Sequence, residues 1–260
     1  MVSPVNLITP EFSEATGVVC TASSTAAGTA AANLLKPQPT DIWRANATTQ
    51  QTIDVDLVTA QAVACAALLF TDLENGTTWS VTAGATQGAT TYNSGTLTLS
   101  TFYNQANIAR RHLIHLPSTP QTYRWWRFTL SAQSTAVTAG NVVLGPKWLP
   151  GVDFNLTWGF AESSDLVITD GGQVIATAPW REKSPHLEME IKSSTEADHE
   201  ENLYRIALRA GQKPVLAIRE IASANYLQQR VYWGYPSNVS GIAVANLNQW
   251  RCKMIVRGTI

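Results

Sequence analysis

Residues 53–57 read Ile, Asp, Val, Asp, Leu, and this strict alternation constrains the fold more than any other feature of the chain. Because successive side chains of a strand point to opposite faces, the alternation predicts a strand with one buried and one polar face. Residues 63–70 are almost all apolar, which predicts a second strand that is covered on both faces. The loop before them, 33–44, holds two prolines and the lone Trp43. This order is typical of the start of a β-sandwich.

Short alternating segments continue through the first half of the chain, with glycine and asparagine turns between them. They are residues 79–83, 96–99, 110–117, 123–130 and 141–145. Short strands at this spacing are typical of a β-sandwich or jelly roll. Trp125 and Trp126 are neighbours in one of these strands, so one should point into the core and the other outward.

The segment 145–151 contains two prolines and two glycines and is the best candidate for a domain boundary. Charge density also changes there, from 13 charged residues in 1–145 to 24 in the shorter part 146–260. The sequence therefore predicts two domains, 1–145 and 146–260.

The second part is also mainly β in its pattern, with one helix. An Asp-Gly-Gly turn at 170–172 joins two apolar segments and predicts a hairpin, and 187–192 alternates cleanly. The period then changes: a capping box at 193–196, apolar residues at helical spacing and Gly211 as a stop predict a helix at about 194–210. The apolar face of this helix is Leu203, Ile206, Ala207 and Ala210. Further strands are predicted at 214–218, 230–235, 241–244 and 250–256.

Composition argues against several classes of function. The net charge is −1, so the chain has no excess of basic residues for nucleic acid or an anionic membrane. No apolar run is long enough to span a bilayer, and the start lacks a signal-peptide pattern. The three cysteines are far apart, which disfavours a disulfide framework and fits a reducing compartment. Charged residues make up only 14%, which favours a subunit of an assembly.

Catalytic and metal-binding patterns receive little support. Asp54 and Asp56 share a strand face and could hold a cation or act as an acid–base pair, but a solvated strand face is the favoured interpretation. His112 and His115 are three residues apart on a predicted strand, so they should lie on opposite faces and not share a metal. No nucleophile-elbow, phosphate-loop or zinc-protease motif occurs. We therefore expect no enzymatic activity, no cofactor and no metal.

Four arginines make up the one basic cluster of the first part. Such arginines usually pair with nearby carboxylates, and an acidic partner is the alternative. The four are Arg110, Arg111, Arg124 and Arg127.

Aromatic side chains are the candidate binding residues, because their faces can stack on sugar rings and are enriched at protein interfaces. Core packing is the competing explanation. In the strand 230–235, alternation cannot place all three aromatic residues on one side, which leaves aromatic surface for a subunit contact. The candidates for a glycan site or an interface are Trp43, Trp79, Tyr103, Trp125, Trp126, Tyr232, Trp233 and Tyr235.

Two segments resemble known families. Residues 33–44 and 52–57, with the apolar strand after them, resemble the opening of a discoidin-like (galactose-binding-like) jelly roll, and more narrowly such domains in tailed-bacteriophage virion proteins. The element order of 146–258, with Gly171-Gly172 and the Lys-Pro-Val-Leu run at 213–216, resembles phage tail-tip proteins of the distal-tail type. In that family a β-sandwich carrying a helix assembles into a ring on the tail tube.

The resemblance implies a structural subunit of a phage virion at or near the tail tip, assembled in the host cytoplasm. It would form a homo-oligomeric ring, of six subunits or a multiple of three, and contact other tail proteins. The alternatives are a carbohydrate-binding module that recognises a host glycan, and a neck or capsid-decoration protein. The expected fold has two β-sandwich domains, a discoidin-like jelly roll followed by a β-sandwich with one α-helix.

Overall fold

The protein is mainly β, as predicted. The computed structural model describes residues 5–38, 40–99, 111–152, 157–161, 166–168, 174–176, 184–193, 199–219, 227–228, 230–246 and 249–258. Its strands are β1 (Val5–Ile8), β2 (Val19–Ala22), β3 (Trp43–Arg44), β4 (Gln51–Val63), β5 (Cys65–Thr71), β6 (Thr78–Gly84), β7 (Tyr92–Asn93), β8 (Leu97–Thr98), β9 (Arg111–His115), β10 (Gln121–Leu130), β11 (Thr138–Ala139), β12 (Asn141–Gly145), β13 (Lys147–Trp148), β14 (Gly151–Val152), β15 (Thr157–Ala161), β16 (Leu166–Ile168), β17 (Val174–Ala176), β18 (Ser184–Ser193), β19 (Val215–Arg219), β20 (Val231–Asn246) and β21 (Gln249–Gly258). Helical residues are a 3₁₀ turn at Ala31–Leu35, a π-helical turn at His199–Leu203 and helix α1 at Tyr204–Ala207.

The larger sheet of the first half has β10 at its centre. Its strand order is β2-β4-β10-β6-β7, with β8 also paired to β6, and each of these pairings is antiparallel. Phe128 of β10 lies between Ile53 of β4 and Val81 of β6, and all three are fully buried. The inner face of this sheet is therefore a continuous apolar surface.

A smaller antiparallel sheet, in the order β12-β5-β9, closes the sandwich. Every residue of β5 is buried, as its apolar run predicts for a strand covered on both faces. Leu68 of β5 joins Ile53, Val55 and Leu57 of β4 in one apolar cluster, so the two sheets share a core. The alternation that predicted Ile53, Val55 and Leu57 as the buried face is confirmed.

The outer backbone edge of β9 is bonded by a side chain at one position. The amide oxygen of Gln228 accepts a hydrogen bond from the His112 backbone N–H (2.6 Å), and its amide nitrogen donates to the His112 carbonyl (2.9 Å). One glutamine amide thus satisfies both backbone groups of His112, as a neighbouring strand would.

Contacts divide the chain into two compact units. The first contains Ser3–Pro150 together with Pro214–Val231, and the second is built mainly from Gly151–Lys213 and Tyr232–Ile260. In the first unit, β1 pairs with both β13 and β19, which brings 215–219 beside the N-terminal strand. The predicted division into domains 1–145 and 146–260 stays a prediction.

In the second unit, β18 pairs with β21, β15 and β14, and β20 pairs with β21. Strands β16 and β17 form the arms of the predicted hairpin, whose turn lies outside the described residues. The two strands predicted at 230–235 and 241–244 are one long strand, β20, with several shifts of register against β21.

The predicted helix is present at 199–207, where the π-helical turn runs directly into α1. Leu203 and Ile206 are buried, whereas Ala207 and Ala210 are half-buried. Gly211 has a φ of +69°, the left-handed conformation that ends a helix, as predicted. The predicted start at 194–198, with most of its capping box, lies outside the described residues.

Candidate binding site

A β-bulge between β4 and β10 shapes the outer face of the larger sheet. Tyr123 pairs with Gln61 but Trp125 pairs with Asp56, so residues 57–60 of β4 stand opposite the single residue Arg124. A bulge locally bends a strand and re-aims its side chains. Here the Arg124 and Trp125 side chains lie beside each other, with the guanidinium carbon 5.7 Å from the centroid of the Trp125 ring.

Arg124 and Asp56 form a two-pronged ion pair at this bulge. Arg124 Nε donates to Asp56 Oδ1 at 2.6 Å, and Arg124 Nη2 donates to Oδ2 at 2.7 Å. The backbone N–H of Val58 also donates to Oδ1, at 2.9 Å. Hydrogen bonding from Arg124, followed by the Val58 N–H bond, lowers the pKa of Asp56 despite some desolvation. The result is an ionised carboxylate fixed in orientation, with the arginine reaching outward.

Two valines leave apolar surface exposed beside this ion pair. Val19 of β2 lies opposite Asp56 in the strand register and is 53% exposed, and Val58 is 44% exposed. Val58 has a φ of +67°, which is rare for a β-branched residue and costs about 1–3 kcal/mol. We call Val19, Asp56, Val58, Arg124 and Trp125 the bulge site.

A second ion pair lies next to the bulge site on the same sheet face. Arg127 Nε and Nη2 donate to the two oxygens of Asp54 at 2.6 and 2.8 Å, and Gln87 Nε2 donates to Asp54 Oδ2 at 3.0 Å. The loop 85–89 covers this pair, since a β-carbon at Gly88 would lie 3.3 Å from Arg127 Nη1. The expectation of a solvated acidic face is wrong for Asp54, which is buried because this loop lies over it.

The structure describes three of the four clustered arginines, and two of them pair with carboxylates as predicted. Arg124 and Arg127 pair with local carboxylates, which confirms the favoured interpretation for those two residues. Arg111 instead donates to the backbone carbonyl of Leu73. Arg110 lies outside the described residues.

The two histidines of β9 make hydrogen bonds to different residues, which agrees with their predicted positions on opposite faces of the strand. His112 Nδ1 accepts a hydrogen bond from the Phe70 N–H at 3.3 Å, and burial lowers the pKa of His112 to about 4. His115 Nε2 lies 2.5 Å from the Tyr92 hydroxyl, and burial lowers the pKa of His115 and raises that of Tyr92. Tyr92 also packs against Trp126, with ring centroids 6.0 Å apart. This cluster links the two sheets.

Reactive and metal-binding groupings are not evident in the described part of the chain. There, no set of three or more His, Cys, Asp or Glu side chains is placed to hold a metal ion. Cys20 and Cys65 are free and buried, and burial raises the pKa of each thiol to about 12. Among the same residues, no helix has the length and apolar character to cross a membrane.

An apolar cleft of about 350 Å³ opens between β8 and β9. It is lined by Trp79, Leu97, Thr98, Leu99, His112, Leu113, Ile114, Leu116, Leu227 and Gln228. The connection 100–110 between these two strands lies outside the described residues, so we assign no ligand to this cleft.

The aromatic candidates differ greatly in exposure. Trp43, Trp79 and Trp126 are buried in the core, and the Trp43 indole N–H donates to the Ser24 carbonyl at 3.1 Å. Trp125 is half-buried, which confirms that one member of the Trp125–Trp126 pair faces outward.

In β20, Tyr232 and Trp233 point to opposite faces and both are buried, so that part of the strand is covered on both sides. Tyr235 keeps partial exposure, and Tyr103 lies outside the described residues. The glycan or interface roles of these aromatic residues remain predictions.

Sequence patterns singled out Asp56, Arg124 and Trp125 separately but did not bring them together in one site. Val19 and Val58 carry no motif, and Asp56 and Arg124 are 68 residues apart. The sequence signal that could have indicated the bulge is the loss of apolar–polar alternation after Leu57. In the structure Val58, Thr59 and Ala60 are all exposed.

A scan against models of protein families finds no match, and a search of curated proteins finds none either. Solved structures do show similarity to about half of this chain. A Ruminococcus gnavus GH29 fucosidase in complex with fucose is 10% identical with a TM-score of 0.41, over 53% of this chain and only 26% of its own. The chain thus spans about a quarter of the fucosidase.

Two smaller domains are matched over nearly their whole length. The family 32 CBM from C. perfringens NanJ, in complex with galactose, is 13% identical over 54% of this chain and 98% of its own, with a TM-score of 0.41. A mutant lectin domain of Lectinolysin complexed with Lewis b is 17% identical over 53% and 97%, with a TM-score of 0.40.

Proposed function

We propose that this protein is a non-catalytic glycan-binding module and that the bulge site is its binding surface. The observation that carries the proposal is the fixed Arg124–Asp56 pair beside the half-exposed ring of Trp125. Polar groups held in fixed positions next to an aromatic surface are what a sugar requires, because a sugar presents hydroxyls and C–H faces together.

The ion pair has hydrogen-bonding capacity left for a ligand. A guanidinium has five N–H donors, and two of those of Arg124 are used by Asp56. Asp56 Oδ1 already accepts two hydrogen bonds, whereas Oδ2 accepts one from Arg124. The pair therefore offers outward donors and an acceptor side by side, which matches two adjacent sugar hydroxyls, each able to donate and accept.

Apolar contacts would hold the less polar side of the sugar. Val19 and Val58 flank the ion pair, and Trp125 lies on its other side along β10. The two charges neutralise each other, so the site favours a ligand that forms hydrogen bonds over one that needs a net charge.

The test is a glycan array probed with the whole protein, followed by titration calorimetry with the best-bound glycan. Trp125→Ala and Arg124→Ala should each weaken binding about tenfold or more, because each removes roughly 1.4 kcal/mol or more of contact. Thr129→Ala is the matched control, since Thr129 is on the same strand and face but pairs with Thr52, away from the bulge. Absence of any glycan binding, or equal binding by wild type and Trp125→Ala, would refute the proposal.

The second candidate function is a structural subunit of a tailed-phage virion, in the tail tip, neck or capsid surface. It is supported by the resemblance of 33–44 and 146–258 to phage proteins, and by the exposed Val19 and Val58, which could equally contact another protein. Purified particles should then contain the chain at a fixed stoichiometry measured by mass spectrometry. Labelling with an antibody would place it on the particle, and its absence from particles would exclude this function.

A further inference from the structure

Strand β9 is joined to β5 through a bulge. The register of the two strands shifts between Leu68 and Thr71 of β5, so residues 69 and 70 stand opposite the single residue His112. An extra residue in a bulge has backbone groups that the strand ladder does not bond. The N–H of Phe70 is such a group, and Phe70 also has a φ of +56°, which is unusual for an aromatic residue.

The His112 side chain takes the place of a strand partner for this N–H. Its Nδ1 accepts the hydrogen bond from Phe70 at 3.3 Å, and the two rings meet edge to face with centroids 5.0 Å apart. A ring nitrogen that accepts a hydrogen bond carries no proton, so the neutral His112 has its proton on Nε2. A proton added to Nδ1 turns this acceptor into a donor that faces another donor, and the hydrogen bond is lost.

The backbone of His112 is held at the same position of β9. Gln228 bonds both its N–H, at 2.6 Å, and its carbonyl, at 2.9 Å. The next residue, Leu113, is buried in the core. Movement of residue 112 away from β5 therefore breaks the Phe70 bond together with both Gln228 bonds.

Charged groups that could compensate for a proton on this ring are not evident among the described residues. The other residues that line the cleft beside His112 are all uncharged. The charged residues next to the bulge have bonds elsewhere, since Arg111 donates to the Leu73 carbonyl and Asp72 accepts from the Thr138 N–H. Burial lowers the pKa of His112 to about 4, which agrees with this uncharged surrounding.

We propose that His112 makes the attachment of β9 to the sandwich sensitive to acid. Protonation of its ring breaks the hydrogen bond to Phe70 and releases β9 from β5 and from Gln228. The larger sheet stays folded, because β9 pairs only with β5 of the smaller sheet. The protein thus contains a strand whose opening depends on the pH of its surroundings.

The sign of the pH dependence follows from the form that the attached strand requires. The neutral ring is required, so attachment is fully favoured above the ordinary histidine pKa of about 6.5 and weakens as the pH falls towards about 4. Between these values the open strand binds a proton that the attached strand does not. The equilibrium constant for opening should therefore rise about tenfold per pH unit, and about 300-fold in total.

The experiment follows hydrogen exchange of single amides in the full chain by NMR, from pH 7 to pH 4. Protection factors of the Phe70 and His112 amides should fall with the pH as stated, because both amides are bonded only while β9 is attached. The amide of Phe128, in the centre of the larger sheet, should keep its protection. Nitrogen-15 shifts of the imidazole at pH 7 should show the His112 proton on Nε2.

Two variants separate the histidines of β9. His112→Asn places an amide oxygen near the position of Nδ1, so it can still accept from the Phe70 N–H but does not titrate. Protection of the Phe70 amide should then no longer depend on pH. His115→Gln is the matched control, because it removes the other histidine of the strand, which contacts the Tyr92 hydroxyl. This control should keep the pH dependence of wild type.

Four results would overturn the proposal. They are a proton on Nδ1 of His112 at pH 7, Phe70 protection that stays constant down to pH 4, an equal loss of protection at Phe128, and a folded His112→Asn that keeps the pH dependence. If His112→Asn fails to fold, wild type and His115→Gln still decide. Loss of the pH dependence in His115→Gln would assign it to the wrong histidine and also overturn the proposal.

Discussion

Two aspartate–arginine pairs lie side by side on the outer face of the larger sheet, and they differ in what covers them. Asp54–Arg127 and Asp56–Arg124 join the same two strands, β4 and β10, with nearly equal hydrogen-bond lengths. The loop 85–89 lies over the first pair, the covered pair. The second pair, the open pair, lies at the bulge between two exposed valines, and its arginine side chain is more exposed, 45% against 31%. The same ion pair thus holds a loop in one place and remains more exposed to solvent in the other.

The largest expected effect comes from breaking the covered pair. Asp54→Ala leaves the Arg127 guanidinium without its carboxylate beneath the loop, and should lower the free energy of unfolding by about 2–4 kcal/mol. Urea denaturation followed by tryptophan fluorescence measures this change. Asp56→Ala is the matched variant in the open pair and should lower stability much less. Equal losses in the two variants would contradict the distinction between the pairs.

Relief of backbone strain at the bulge should give a smaller change of opposite sign. Val58→Gly removes the strain of a positive φ but adds the entropy cost of ordering a glycine. The free energy of unfolding should rise by about 1 kcal/mol in total. Val19→Gly is the control, because it introduces glycine into the ordinary strand β2 and should destabilise by about 0.5–1 kcal/mol. Thermal unfolding of both variants checks the prediction, and a loss of stability in Val58→Gly would show that the valine is not strained.

The loop over the covered pair should depend slightly on Gln87. Gln87→Ala removes one hydrogen bond to Asp54 from an exposed side chain, and should cost about 0.5–1 kcal/mol. Hydrogen exchange should become faster at 85–89 and stay unchanged at the bulge. Faster exchange at the bulge as well would mean that the two pairs are coupled.

The Asp56–Arg124 pair should make the free energy of unfolding depend on pH in the acid range. The pKa of Asp56 is lower in the folded state than in the unfolded chain, where it is about 3.9. The ionised carboxylate therefore stabilises the folded state above about pH 3.9, and this contribution is lost as the pH falls through the lower folded-state pKa. Wild type should therefore exceed Asp56→Asn in stability at pH 6, and the difference should shrink below about pH 4. Denaturant titrations across this range measure it. A difference that grew as the pH fell would give the wrong sign.

Local pattern was enough to predict much of the sandwich. The alternation at 53–57 correctly assigned Ile53, Val55 and Leu57 to the buried face of β4, because it depends only on the geometry of a single strand. The neighbouring strand β10 was predicted in the same way, including one inward and one outward tryptophan.

What local pattern could not predict depends on residues far apart in the sequence. The cover over Asp54 comes from Gln87 and the loop around it, 33 residues away. The bulge exists only in the pairing of β4 with β10, so neither strand alone reveals it. Tyr232 and Trp233 illustrate the same limit, since alternation assigns their faces but not what lies against each face.

The Gln228 side chain affects whether β9 can pair with a strand of another molecule at high protein concentration. A strand at the edge of a sheet carries unpaired N–H and C=O groups, and these can recruit a strand from another molecule. At His112 the amide of Gln228 already satisfies both groups, so a foreign strand would have to displace two formed hydrogen bonds before it could pair there. One side chain thus makes this position of β9 a poor template for growth of the sheet into an aggregate.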